Sequence, residues 1–289
     1  MNAQKTAILI DSGCDLPTHI REEYDIEMIP LRVIYPEKDY QDGVDIDPLM
    51  VYRRFPDEFP STSTPSLSEI MDKFDELKSK GYEKVIALAI SSCLSGTFNA
   101  IRLAASEYEG LEIFPFDTKN ISCGSGIYAI WASTLLKKGK TFAEICAALP
   151  RKLGEANVFF YMDTLTYLQR GGRIGRVTSM VGNALHLKPI ITCGPDGRYD
   201  TVAKIRGAKM GKLRLAEEVL KFGASGDSWV VIEEGGAHEE AMAFKEVLEK
   251  SGRFGKAKIL FNLQITASLA INTGPGLIGA TVMRNPEAV

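Results

Sequence analysis

Val85-Ile86-Ala87-Leu88-Ala89-Ile90 runs without a break into Ser91-Ser92-Cys93-Leu94-Ser95-Gly96-Thr97, and a helical pattern follows from Phe98 to Tyr108. Six consecutive apolar residues read as a strand buried on both faces. The hydroxyl-rich turn with its glycine ends the strand and opens the helix. A strand feeding through a short turn into a helix is the repeating unit of a parallel α/β sheet.

The same pattern recurs on either side. Thr6–Ile10 is apolar and stops at Asp11-Ser12-Gly13, after which Asp15 is placed to cap a helix carrying Pro17 in its first turn. Leu111–Phe116 ends at Asp117-Thr118. Met28–Ile34 reads as a further strand closed by Pro36, and residues 37–60 as a polar, irregular connection. Ser66 and Glu69 have capping-box spacing, and Ile70, Met71, Phe74 and Leu77 follow on one helix face. Helices over 127–136 and 142–153 complete this half.

Val158–Met162 begins a second unit. Leu187–Thr192 and Asp200–Ile205 read as strands around the turn Gly194-Pro195-Asp196-Gly197. A helix over Lys209–Phe222, a strand over Trp229–Glu233 and a helix over Glu239–Lys250 come next. Ile259–Ile265 and Leu277–Met283 read as strands flanking a Gly/Pro turn. The expected fold class is α/β with two α/β domains. Residues 1–155 carry a largely parallel sheet and residues 156–289 a mixed one. No internal repeat or low-complexity segment is present.

Composition narrows the function. The chain has 289 residues, 45% hydrophobic and 25% charged, which is ordinary globular usage and unlike a disordered chain. Lysine and arginine total 34 against 37 aspartate and glutamate, a net charge of −3, so no general field draws it to nucleic acid. The apolar runs fall far short of the ~18 residues of a membrane span. The N-terminus lacks the apolar core and cleavage site of a secretory signal. Five cysteines at wide spacing, without C-x-x-C, read as reduced thiols of a cytoplasmic protein. Three scattered histidines give no metal-ligand spacing, so neither a metal nor a cofactor is expected. There is no G-x-S-x-G, and no motif ties a histidine to a serine.

Ligands of open α/β sheets bind beyond the carboxyl ends of the strands. Those ends carry Asp11 and Ser12, then Ser91, Ser92, Ser95 and Thr97, then Asp117 and Thr118. Hydroxyls can donate to a carboxylate or a phosphate. Ser61-Thr62-Ser63-Thr64-Pro65-Ser66 adds five more. Capping accounts for Ser66 and turn geometry for Pro65, but Thr62 and Ser63 have no such local role. Ser95 stands where a helix opens, so it is both a candidate cap and a candidate anion contact. In Arg170-Gly171-Gly172-Arg173 the glycines permit close backbone approach and the arginines supply forked donors, although a solvated turn would read the same way. Gly124-Ser125-Gly126 and Gly274-Pro275-Gly276 have the glycines of a dinucleotide fingerprint without its strand-to-helix setting. Lys204, Arg206, Lys209, Lys212 and Arg214 form a basic stretch, either a solvated face or a docking patch.

Taken in order, several of these segments resemble the DegV family of fatty-acid-binding proteins, over essentially the whole chain. They are Asp11-Ser12-x-x-Asp15-Leu16, Thr62-Ser63-Thr64-Pro65-Ser66, Ser91 to Thr97, Asp117-Thr118 and Leu168-Gln169-Arg170-Gly171-Gly172-Arg173-Ile174. Leu185-His186-Leu187-Lys188-Pro189-Ile190, Lys204-Ile205-Arg206 and Gly274-Pro275-Gly276 continue the match. The resemblance implies a fatty acid held between the domains with its tail buried. It further implies an acyl-carrier subunit of bacterial fatty acid kinase, not itself an enzyme. Such a subunit presents the bound carboxylate to a dihydroxyacetone-kinase-like partner that phosphorylates it. It places Thr62, Ser63 and Ser95 at the carboxylate and Arg170 and Arg173 near the head group. Two positions depart from the family pattern. Thr64 stands where Gln is often found, and Asn272 where His is often found. The second bears on the phosphoryl-transfer role and leaves lipid binding untouched. The alternative reading is an enzyme using the same cleft for a small phosphorylated or carboxylated substrate.

Overall fold

The structure is a computed structural model that describes residues 2, 4–180, 187–206, 208–223, 227–253 and 255–288. The first half contains β1 (Thr6–Asp11), a 3-10 turn (Ser12–Cys14), α1 (Thr18–Tyr24), β2 (Ile26–Ile29), β3 (Arg32–Ile34), β4 (Asp39–Gln41) and α2 (Pro48–Arg54). It continues with β5 (Ser61–Ser63), α3 (Leu67–Ser79), β6 (Lys84–Ala89), α4 (Thr97–Glu107), β7 (Glu112–Asp117), α5 (Cys123–Lys137) and α6 (Phe142–Lys152). Then come β8 (Ala156–Tyr161), α7 (Thr166–Arg170), a 3-10 segment (Gly175–Met180), β9 (Leu187–Cys193), β10 (Tyr199–Arg206) and α8 (Ala208–Gly223). Last are β11 (Ser228–Gly235), α9 (His238–Lys250), β12 (Lys258–Gln264), α10 (Ala267–Thr273) and β13 (Leu277–Arg284).

The strands form three sheets. One is fully parallel, ordered β2-β1-β6-β7. A second is mixed, ordered β10-β9-β8-β13-β11-β12, with only the β11–β12 pair parallel. The third is a small antiparallel sheet, β4-β3-β5. The fold is thus α/β, with the parallel sheet in the N-terminal part and the mixed sheet in the C-terminal part.

The layers follow from which faces are apolar. Ile70, Phe74 and Leu77 of α3 pack with Ile101 and Ala104 of α4 on one side of the parallel sheet. The capping box forms at α3, with Ser66 N–H donating to Glu69 Oε2 (2.7 Å) and Glu69 N–H to Ser66 Oγ (3.2 Å). The other side faces α5, which is apolar nearly all round, as expected of a helix buried on every side. Its Ile127, Tyr128, Ile130 and Trp131 join residues of both large sheets in one core, and Trp131 Nε1 donates to the Pro286 carbonyl at 3.0 Å. Beyond the mixed sheet, α8 and α9 close the outer face with Leu215, Val219, Phe244 and Leu248. Val33 and Val51 meet Ala267, Ala270 and Ile271 of α10 in a separate small core.

Four local readings need correction. The strand expected over Met28–Ile34 is two strands in different sheets, because Pro30 has no N–H to continue the ladder. Residues 37–60 contain β4 and α2. Asp47 caps α2, accepting from Leu49 N–H at 2.9 Å, with Pro48 at its first position. Asp15 does not cap α1, which starts at Thr18 after Pro17; with φ 53° it closes the 3-10 turn instead, and its carboxylate points elsewhere. The segment before Gly274 is the helix α10. Leu185 and His186 lie outside the described residues, as do the side chains of Arg206 and Lys209.

Candidate functional site

In the order β2-β1-β6-β7 the strands are added first to one side of β1 and then to the other, so β1 and β6 flank the switch point at which such sheets bind ligands. There Asp11 ends β1. Its carboxylate accepts from Gly13 N–H and Ile90 N–H, both at 2.9 Å, and so ties the ends of β1 and β6 together. Burial pushes its pKa up to about 7, against the two backbone donors. Asp11 is spent on structure, and the residues beyond it form the site.

A cavity of about 230 Å³ opens there, walled by both halves of the chain. Its apolar surface comes from Leu31, Ile90, Leu94, Ile121 and Leu269, and its polar surface from Thr62, Ser63, Ser95, Ser268, Asn272 and Arg173. Thr62 is delivered by β5, opposite Val33 of β3. Its hydroxyl has no protein partner among the described residues. Ser95 follows β6. Gly96 is the N-cap of α4, and Ser95 stands one residue before it. Ser95 Oγ lies 2.8 Å from Thr97 Oγ1 and accepts from Thr97 N–H at 3.3 Å.

Asn272 reaches the cavity from α10. Its Nδ2 donates to the Ser268 carbonyl at 3.0 Å, and its Oδ1 abuts Gly171, where any Cβ would overlap it. Gly171 therefore serves the close approach to Asn272, while Gly172 serves the left-handed backbone at φ 72°. Arg173 is exposed at the rim, its Nη1 donating to the Gly171 carbonyl at 2.5 Å. It is the only charged group among the described lining residues. Arg170 is placed differently. It lies outside the lining and stacks 3.4 Å above the Phe59 ring, which itself stacks on Phe55. Thus Thr62, Ser63, Ser95, Arg173 and Asn272 are brought together, and Arg170 is not.

Sequence reasoning missed the carboxylates that hold the site. Buried Asp42 accepts from Ser12 Oγ (2.7 Å), Ser268 Oγ (2.5 Å) and Ser268 N–H (3.0 Å). Ser12 Oγ in turn accepts from Leu31 N–H at 3.0 Å. One carboxylate thereby fixes two cavity-lining residues from different parts of the chain. Asp15 Oδ1 accepts from Thr266 N–H at 2.9 Å, just before α10. In the sequence, Asp42 falls within residues 37–60, read only as a polar, irregular connection. Among the described residues, no cluster of His, Cys, Asp and Glu could hold a metal ion, and no helix is long and apolar enough to cross a membrane.

Fold and cavity together define an α/β protein with a hydroxyl-rich, weakly cationic cavity mouth over apolar walls. A family model described as "Uncharacterised protein, DegV family" matches residues 5–285. A DegV domain-containing protein of Clostridium perfringens is 38% identical over 281 residues, covering 97% of this chain and 99% of that one. Among solved structures, a fatty-acid-binding DegV family protein of Thermus thermophilus superposes with a TM-score of 0.89 at 29% identity, covering 98% of this chain and 99% of the other. A stearic acid-binding protein of Eubacterium ventriosum gives 0.88 at 28% identity, covering 98% and 100%. The chain belongs to the DegV family.

Proposed function

We propose that this chain binds a long-chain fatty acid and presents its carboxylate to a separate kinase for acyl-phosphate formation. The observation that carries the binding reading is the meeting of Thr62 and Ser95 on one cavity whose apolar walls are Leu31, Ile90, Leu94, Ile121 and Leu269. Hydroxyl donors orient a carboxylate, Arg173 supplies charge at the rim, and the apolar walls accept methylenes. Burying a chain of ~16 carbons at ~0.8 kcal/mol per CH₂ offers on the order of 10 kcal/mol before association costs. The fatty-acid-binding relatives of the same fold support this reading.

The cavity of about 230 Å³ lies below the ~300–1,000 Å³ of typical ligand pockets. It suits a head group and the first methylenes, so a full-length chain requires apolar side chains now in contact to part. The kinase role rests on the family resemblance alone. In this reading the chain carries no catalytic residue, and the kinase supplies ATP chemistry. Mass spectrometry of the denatured, freshly purified protein tests the binding reading. One fatty acid per chain is expected. Recovery of no lipid, with no thermal shift on adding oleate or palmitate, refutes it.

A further inference from the structure

We propose that Asp15 and Glu233 are positioning residues for this pocket: joined through Ser122 by a single shared proton, they hold the start of α10 where it presents Ser268 and Asn272 to a ligand. The inference rests on the fatty-acid reading above. Ser122 Oγ lies 2.5 Å from Asp15 Oδ2 and 2.8 Å from Glu233 Oε2. The other Glu233 oxygen lies 2.6 Å from Thr281 Oγ1. These three oxygen–oxygen links need three hydrogens, and each hydroxyl carries one. Ser122 and Thr281 supply two, so a carboxyl must keep the third. With both carboxylates ionised, Ser122 could satisfy only one, and the other would face its oxygen unpaired in the interior.

The surroundings agree. Asp15, Ser122, Glu233 and Thr281 are all buried. Burial pushes Asp15 well above the usual carboxylate range and Glu233 up to about 7. Neighbouring Cys14, Cys123, Cys193, Tyr52 and Tyr199 are pushed up by the same cause, which leaves them uncharged near neutral pH. Asp11 is engaged with Gly13 and Ile90, Asp42 with Ser12 and Ser268, and Glu234 with Ala237 N–H. No cation pairs with Asp15 or Glu233 among the described residues, and Arg173 is exposed and bonded to Gly171. Ser122 has φ 53° and ψ −148°, a conformation that costs a non-glycine residue and persists only where the surroundings enforce it.

Asp15 passes this restraint to α10 through Thr266 N–H. A carboxyl whose folded pKa is raised stabilises at low pH and loses that contribution as pH rises through the folded value. The restraint on α10, and with it fatty-acid affinity, should therefore fall as pH rises above about 7, once Glu233 has ionised and the proton left on Asp15, itself raised well above the usual carboxylate range, is lost. Glu233→Gln separates proton from geometry. Its amide can donate to Ser122 and accept from Thr281, keeping all three links with Asp15 ionised, so that no shared proton is needed.

The probe is oleate binding to delipidated protein between about pH 6 and about pH 9, with amide exchange at Thr266 measured in the ligand-free protein. The parent should lose about tenfold in affinity across that range, and Thr266 protection should fall in parallel. Glu233→Gln should match the parent at the acid end and stay flat in both readouts. Asp15→Asn, the mirror variant, should do the same if Glu233→Gln fails to fold. Asp15→Ala should bind weakly at every pH while remaining folded by circular dichroism. A neutral variant that keeps the parent's slope, or a folded one that loses binding at low pH, overturns the proposal. A parent that binds no oleate refutes the fatty-acid reading instead, and the Thr266 exchange profile then decides the proton linkage alone.

Discussion

Thr62→Ala combined with Ser95→Ala should weaken fatty-acid binding by about 2–4 kcal/mol. A hydrogen bond to a charged group is worth ~1.5–3 kcal/mol, so two give at most ~6. The two hydroxyls share one carboxylate, and Thr62 and Ser95 are only half-buried, so water replaces part of what is lost. A loss of about 2–4 kcal/mol corresponds to roughly 30- to 900-fold in dissociation constant. The stability side is separable. The Thr62 hydroxyl makes no protein hydrogen bond among the described residues, so its removal should leave the melting temperature of lipid-free protein unchanged. Removing Ser95 Oγ deprives buried Thr97 Oγ1 of its 2.8 Å partner and should cost on the order of 1 kcal/mol. Calorimetric titration of delipidated protein with oleate, run on both single variants and the double, gives the full cycle. Parent-like affinity in the double variant would remove both residues from the site and the carboxylate from this cavity.

Gly171→Ala should push Asn272 aside and reduce oleate affinity several-fold. Gly172→Ala, at φ 72° with no neighbour within 4 Å of a new Cβ, should cost stability of ~1 kcal/mol and leave affinity alone. Equal affinities in the two variants would dissociate Asn272 from the ligand. Asn272→His should raise kinase-dependent acyl-phosphate formation about tenfold, a barrier change of ~1.4 kcal/mol, since a protonated imidazole adds positive charge beside the phosphoryl group. Identical turnover of parent and variant with the cognate kinase would deprive the Asn272 departure of mechanistic meaning. Trp131→Ala should destabilise by about 3–5 kcal/mol in urea titration, because the side chain is wholly buried between two sheets and its N–H is paired. Asp11 has a folded pKa of about 7, so below that pH it retains a proton that the unfolded chain has already released in the usual carboxylate range. Its contribution to stability should fall by ~1.4 kcal/mol per pH unit as pH rises toward about 7 and then level off. Asp11→Asn should flatten that part of the pH profile, and an unchanged slope would assign it to other groups.

What could be read in the residues depended on the range of the interaction that fixes each feature. β6 and its helix were legible because an unbroken apolar run and a glycine-bearing turn act locally. The capping box at Ser66 and Glu69 was legible for the same reason. Thr62 and Ser63 stood out because nothing local used their hydroxyls. α10 was illegible: Ala267–Thr273 is one short run whose helical form rests on packing against Val33 and Val51, more than 200 residues earlier. Asp15 looked like a cap because its sequence neighbours suit one, while its partners Ser122 and Thr266 are 107 and 251 residues away. Arg170 and Arg173 are indistinguishable in the motif. Only the ring of Phe59 draws one of them away from the cavity.

The place of β13 sets a timetable for the chain during synthesis. It follows every other strand, yet it lies inside the mixed sheet with β8 on one side and β11 on the other. Until Leu277–Arg284 has been made, β8 and β11 each present an open edge, and the apolar faces prepared for the gap have nothing to cover. Unpaired edges of this kind are templates for association with other chains. The α10 wall of the pocket is made only just before β13. At ~5–20 residues per second, the residues around Thr62 and Ser95 therefore wait on the order of 10 s or more for their partners. A nascent chain cannot take up its ligand early, and one halted short of β13 should be found with chaperones or in aggregates, not as a weaker binder.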